Sequence, residues 1–159
     1  TGTDAALGIQ WHVLAMFVPS FFTGNLIKRF SAERVTAAGM VLLMIAAVTA
    51  LMGLRFEHFS ISLILLGLGW NFGFIGGTAM LTDSYKPAER GKVQGMNDFL
   101  IATVMVVASF TSGKILAGPG WAAIAWIVLP LALLSLALVL WRTRVPVGVQ
   151  ASGHDNPIR

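Results

Sequence analysis

A carboxylic acid, Asp98, lies well inside one of the long apolar segments of this sequence, with Gln94 four residues before it and Asn97 beside it. Residues four apart share one face of a helix, so Gln94 and Asp98 are predicted to lie together. Burial in an apolar medium raises the pKa of a carboxylic acid, which then binds and releases a proton more readily near neutral pH. Asp98 is therefore a candidate proton-coupling residue. The alternative role is a gate or packing contact with Gln94 or a basic loop residue.

Other apolar segments contain three more side chains with useful chemistry. His12 carries an imidazole, a side chain used in proton transfer, Asn71 both donates and accepts hydrogen bonds, and Trp70 can stack on a flat ligand. Together with Gln94 and Asn97, these three are candidates for lining a substrate path. Each also has an ordinary structural role: an interfacial position for His12, packing for Trp70, and for Asn71 an interhelical hydrogen bond worth about 0.6 kcal/mol.

Two local patterns predict how the helices that carry these residues are shaped. Gly69, Gly73 and Gly77 repeat every four residues, a spacing that lets a neighbouring helix backbone approach closely. Asn71 is predicted to lie on a different face of that helix. Pro19 lacks an N–H and crowds the preceding turn, so it is expected to kink the first apolar segment.

The elements that must position these residues are transmembrane helices. The chain has 159 residues, of which 56% are hydrophobic and 11% charged, whereas a soluble domain carries about 25% charged residues. A membrane span needs about 20 mostly apolar residues. The sequence therefore predicts an all-α integral membrane bundle over residues 1–144, followed by a disordered cytoplasmic tail over 145–159. Five spans are predicted, at about 5–27, 35–54, 56–81, 93–116 and 121–141.

The basic residues predict an orientation, because positive charge collects in cytoplasmic loops. Only Arg55 and Lys114 fall on one side of the predicted spans. The N-terminus is therefore expected outside and the C-terminus in the cytoplasm. The other side carries nine of the eleven Lys and Arg residues: Lys28, Arg29, Arg34, Lys86, Arg90, Lys92, Arg142, Arg144 and Arg159.

The five spans differ in polar content. The first, third and fourth carry polar groups at depth, which usually face a bundle interior or a watery cavity. The second and fifth carry almost none and are predicted to face lipid. One further cavity-type helix before the first span would complete two three-helix repeats. The chain begins at Thr1 and not at Met, so we expect an incomplete chain.

Several other functions are disfavoured by the sequence. The net charge of +4 is spread over short loops and forms no basic face, so nucleic acid is not an expected partner. The sequence has no cysteine, and its three histidines lack metal-ligand spacing. No phosphate-binding loop of the GxxxxGK[ST] type is present. We therefore expect no enzyme activity, no metal and no cofactor.

The loop after the first span resembles the loop signature of the major facilitator superfamily, Gly-x-Leu-Ala-Asp-Arg-x-Gly-Arg-Arg/Lys. Gly24, Leu26, Arg29 and Arg34 match it, whereas Lys28, Ser31 and Glu33 depart from it. The stretch 67–98 is similar to the tenth helix, loop and eleventh helix of bacterial members of this family. On this resemblance the spans are helices eight to twelve of a six-helix C-terminal half, with helix seven missing. An assignment to helices two to six is disfavoured, because the third span lacks the family's arginine and the fourth its antiporter motif.

The resemblance implies a bacterial inner-membrane secondary transporter that carries a small molecule by alternating access. Protons are the expected coupling ion, and the missing half of the transporter and the lipid bilayer are the expected partners. Gly24, Lys28, Arg29 and Arg34 would then act in cytoplasmic gating and topology. Two alternatives remain at this point: a non-transporting membrane scaffold or assembly protein, and a permease subunit driven by a separate ATPase. The substrate cannot be read from these residues.

Overall fold

The computed structural model describes residues 2–53 and 55–144, and every regular element within them is a helix. A 3-10 turn, Pro87–Glu89, precedes α5. The predicted tail, 145–159, lies outside the described residues. The helices are α1 (Gly2–Phe17), α2 (Ser20–Phe30), α3 (Ala32–Leu51), α4 (Phe56–Thr82), α5 (Arg90–Ala117) and α6 (Trp121–Arg144).

Four helices, α3 to α6, are each long and apolar enough to cross a membrane. α1 and α2 meet the same requirement together, as one span bent by 43° between Ala5–Phe17 and Ser20–Phe30. The predicted all-α membrane fold is thus confirmed, and the helices amount to four candidate spans, or five if the bent α1–α2 pair is one span. The kink predicted at Pro19 is confirmed too, since Pro19 lies at the break and its carbonyl accepts from Thr23 N at 2.9 Å.

α3 and α4 form the centre of the bundle, and their backbones touch. A β-carbon added to Gly39 of α3 would lie 2.7 Å from Gly73 N and 2.9 Å from Gly69 O of α4. α3 packs on its other side against α6, where Ala47 and Ala50 meet Ala125. The prediction that the second span faces lipid all round is therefore wrong. Small apolar side chains let helices approach closely, so a span without polar groups can still be packed inside a bundle.

The two ends of the bundle differ in how tightly they are packed. α1 and α2 pack against α4, and α2 also touches α3. At the other end, α5 packs against α6, and none of its residues is buried. Because α5 stands apart from α4, a groove opens between α4, α5 and α6, and this groove positions the candidate site.

Candidate functional site

The groove between α4, α5 and α6 has a volume of about 570 Å³. Met40 and Leu43 of α3 also contribute to it. No residue that lines it carries a formal charge. The other lining residues are Gly69, Trp70, Gly73, Phe74, Gly77 and Thr78 of α4, Asn97, Ile101 and Val104 of α5, and Val128, Leu131, Ala132 and Ser135 of α6.

An aromatic pair forms one side of the groove. Trp70 and Phe74 are four residues apart on α4, and their rings stack with centroids 5.6 Å apart and an angle of 15° between the planes. The two side chains are 39% and 45% exposed, so they leave aromatic surface open to a ligand. The groove thus offers a flat apolar surface of the kind that binds planar ring systems.

A few polar groups lie around this aromatic surface. The Thr78 hydroxyl donates to Phe74 O and the Ser135 hydroxyl to Leu131 O, both at 2.8 Å, which leaves both oxygens able to accept. Asn97 is half-buried, and its Nδ2 lies 3.4 Å from Asp98 Oδ1. The groove therefore combines an uncharged aromatic surface with hydrogen-bonding groups from three helices.

Asp98 and Gln94, the other two candidate residues on α5, do not line the groove. Asp98 is exposed and is linked to the groove through its neighbour Asn97. Gln94 Nε2 donates to the Tyr85 hydroxyl at 2.6 Å, which ties α5 to the loop after α4. This hydrogen bond is the main reason that the pKa of Tyr85 is lowered from its usual value.

His12 and Asn71 lie on the opposite side of α4, away from the groove. His12 Nδ1 is 2.8 Å from Leu63 O, and because a carbonyl only accepts, Nδ1 is the nitrogen that donates. Asn71 is 2% exposed, and its amide contacts α1 and α2. Asn71 was expected to line the substrate path. In the structure it lies away from the groove, and every hydrogen-bonding atom of its side chain is engaged within the bundle.

The basic residues of the loop signature lie together where α2 meets α3. Lys28, Arg29 and Arg34 are all exposed, and the Arg29 guanidinium lies 5.3 Å from the centroid of the Phe30 ring. A β-carbon added to Gly24 would meet open space. Between the helices, the backbone of Ser31 adopts φ 82° and ψ 156°, a conformation that residues other than glycine rarely adopt.

The glycines of α4 fall into separate contacts. Gly69 and Gly73 lie against α3, whereas a β-carbon added to Gly77, which lines the groove, would meet open space. Gly76 and not Gly77 completes the contact with α3, where an added β-carbon would overlap Thr36 Oγ1. Gly67 packs against α1 instead, where an added β-carbon would lie 2.6 Å from His12 O.

Sequence reasoning did not single out Phe74, Ser135 or Gly39. The position of Phe74 could have been predicted from the sequence, because it is four residues from Trp70 and so shares its helix face. Ser135 and Gly39 lie in the two spans with few polar groups, and only the packing of α3 and α6 shows where they point.

Comparison with known proteins gives a consistent result. The family profile of the Major Facilitator Superfamily matches residues 2–157. The chain is 54% identical to the riboflavin transporter RfnT of Brucella anthropi over 147 residues, which are 92% of this chain and 37% of that protein. It is 39% identical to the uncharacterized MFS-type transporter YdeG of Bacillus subtilis over 137 residues, 85% of this chain and 32% of YdeG.

A second Bacillus subtilis protein, the uncharacterized MFS-type transporter YddS, is 34% identical over 89% of this chain and 33% of its own length. No solved structure matches. The chain thus spans about a third of the length of the curated relatives that it matches. The family match covers nearly all of the sequence, and the helices have the length and apolar character needed to cross a membrane. The chain belongs to the Major Facilitator Superfamily of membrane transporters.

Proposed function

We propose that this chain forms part of a secondary active carrier that moves a small organic molecule across the membrane by alternating access. The observation that carries the proposal is the groove between α4, α5 and α6, three helices long and apolar enough to cross a membrane, which combines an aromatic pair with hydrogen-bonding groups. Transporters of this kind bind substrate near the bilayer midplane, at the interface between repeats. The remainder of the protein would complete the path.

The five spans are assigned in this proposal to helices eight to twelve of the transporter. The unburied faces of α5 support the assignment, because a transmembrane helix with no buried residue leaves surface for the rest of the protein to cover. The basic cluster of Lys28, Arg29 and Arg34 would face the cytoplasm, with the start of α1 outside. The membrane would be the bacterial inner membrane, and residues 145–159 a cytoplasmic tail.

Riboflavin is the substrate that we propose to test first. A relative that is 54% identical carries the name riboflavin transporter. The chemistry of the groove is compatible with that substrate, since riboflavin has a flat tricyclic ring, a hydroxylated side chain and no ionised group. The Trp70–Phe74 pair would contact the ring, and Asn97, Thr78 and Ser135 would bond its polar atoms.

Asp98 is the proposed proton-coupling residue. It is the acidic residue within the described part of α5, and its carboxylate lies beside the amide of Asn97, which lines the groove. Protonation of Asp98 would turn an acceptor into a donor toward Asn97, and thereby change the hydrogen bonds that Asn97 offers to the substrate. This contact gives a direct route from proton binding to substrate binding.

Binding of flavins to the purified full-length protein tests the proposal without a transport assay. We expect saturable quenching of tryptophan fluorescence by riboflavin, and weaker binding of flavin mononucleotide, because its phosphate would bring charge into an uncharged groove. Absence of saturable binding would exclude riboflavin as the substrate. Equal affinity for both flavins would show that the bound flavin lies outside this groove.

A further inference from the structure

The break between α1 and α2 leaves backbone polar groups without their usual helical hydrogen bonds. Pro19 has no N–H, so the carbonyl four residues earlier lacks its usual partner, and Phe21 N reaches Val18 O only at 3.4 Å. α2 also begins without a side-chain cap. Backbone polar groups at membrane depth must be satisfied by the protein itself, because hydrocarbon offers no hydrogen bonds.

One side chain of α4 contacts both sides of this break. Asn71 Nδ2 donates to Met16 O of α1 at 2.8 Å and to Ser20 Oγ of α2 at 2.6 Å. Asn71 Oδ1 accepts from the Thr23 hydroxyl of α2 at 2.6 Å. The amide orientation is unambiguous, because a backbone carbonyl accepts and never donates.

Burial makes these bonds more important. Asn71 is 2% exposed and Thr23 is fully buried, so neither can exchange its partner for water. The Thr23 hydroxyl also lies 2.9 Å from Pro19 O, which places the carbonyl of the proline itself in the same network. Two helix segments at an angle of 43° are therefore joined through a single amide from a third helix.

We propose that Asn71 is a positioning residue for transport, which fixes the bend of the α1–α2 span by bridging Met16, Ser20 and Thr23. α1 carries His12, and α2 ends in the basic cluster that lies where it meets α3. The angle between them sets where both ends of this span lie relative to α4. The inference rests on the proposed transport function, and it assigns Asn71 a role without substrate contact.

The first test compares the kinetics of variants of the full-length protein in proteoliposomes, with riboflavin as substrate. Asn71→Leu keeps the approximate volume but removes the bridge, so we expect the maximal rate to fall about tenfold with KM unchanged. Thr23→Val should lower the rate in the same way, and Thr23→Ser should retain it. The control is Thr49→Val, since the Thr49 hydroxyl bonds to Ile45 O of its own helix. A rise in KM with an unchanged rate in Asn71→Leu would overturn the proposal in favour of substrate contact.

The second test measures the bend directly and needs no transport. The 159 residues contain no cysteine, so spin labels can be placed at Leu7→Cys in α1 and Phe30→Cys in α2, both partly exposed. We expect a narrow distribution of distances between the two labels in the protein with no other substitution and in Thr49→Val. We expect a broader distribution in Asn71→Leu and Thr23→Val. An unchanged distribution in both Asn71→Leu and Thr23→Val would overturn the proposal. Absence of riboflavin uptake by the wild-type protein would instead refute the substrate, and the distance measurement would still decide the role of Asn71.

Discussion

Gly39 of α3 and Gly73 of α4 meet so closely that a β-carbon added to Gly39 would lie 2.7 Å from Gly73 N. Contacts of this kind do not yield by rotation of a side chain, because the neighbouring atom belongs to the backbone. The same added carbon would lie 2.9 Å from Gly69 O. This crossing sets the distance between the two central helices, and every other helix packs on one or both of them directly or through α6.

Substitution of Gly39 by alanine is predicted to destabilise the protein. The added methyl must push α3 away from α4, and overpacking of this kind costs about 1–3 kcal/mol. Thermal unfolding of the full-length protein in detergent measures the effect. Gly77→Ala is the matched control, because the same methyl there meets open space. Equal losses in the two variants would show that the backbone crossing is not the cause.

Ser31 gives a prediction of the opposite sign. Its backbone lies at φ 82° and ψ 156°, where glycine is unstrained and other residues lose roughly 1–3 kcal/mol. Its hydroxyl accepts from Arg34 N at 3.5 Å, a long hydrogen bond that contributes little. Ser31→Gly should therefore raise the unfolding temperature, whereas Ser31→Ala should lower it, because alanine keeps the strain and loses the cap. A lower unfolding temperature for the glycine variant than for the alanine variant would be inconsistent with backbone strain.

The contact between Gln94 and Tyr85 predicts a pH effect in the loop after α4. The hydrogen bond from Gln94 lowers the pKa of Tyr85 from its ordinary value of 10.0, with a smaller contribution from Thr82. Because the pKa is lower in the folded state, the contribution to stability is present at high pH and is lost as the pH falls through the folded pKa. Gln94→Leu should move the phenolate absorbance titration of Tyr85 to higher pH. A Tyr85→Phe difference spectrum isolates this tyrosine, and an unchanged titration would mean that the contact does not form.

Loss of the aromatic pair is predicted to weaken substrate binding. Trp70→Ala removes the ring that would stack on riboflavin, and an aromatic contact of this kind is worth about 0.5–1.5 kcal/mol, so KM for riboflavin should rise several-fold. Trp126→Ala is the control, since Trp126 is 66% exposed on α6 and does not line the groove. Uptake kinetics in proteoliposomes provide both constants. A similar rise in KM for both variants would remove the groove as the binding site.

The fold was largely predictable, because length and hydropathy determine which segments can span a membrane. The break at Pro19 was also predictable, since proline cannot donate to the helix ladder. The residue that contacts this break could not be predicted. Nothing in the spacing of Asn71 shows that its amide meets Met16 and Ser20. Polar residues in separate spans can face a cavity or one another, and the choice depends on how the helices pack.

The groove shows the same limit. Trp70 and Asn97 were singled out from residue type alone, and His12 was singled out in the same way although it lies on the other side of α4. The alanine and glycine residues of the second span carry no polar group, so the sequence did not indicate that they would be buried. The contact of α3 with both α4 and α6 depends on complementary small residues in three helices, and such complementarity is not visible in any one of them.

The most direct test of the central claim is riboflavin uptake by membrane vesicles that contain the full-length protein, measured with and without an imposed proton gradient. Asp98→Asn keeps the size and polarity of the side chain but cannot release a proton, so it is the variant to compare with the wild-type protein. The proposal predicts accumulation that requires the gradient in the wild-type protein, and only downhill equilibration in Asp98→Asn. Uptake that is indifferent to the gradient, or accumulation that is unchanged in Asp98→Asn, would contradict it.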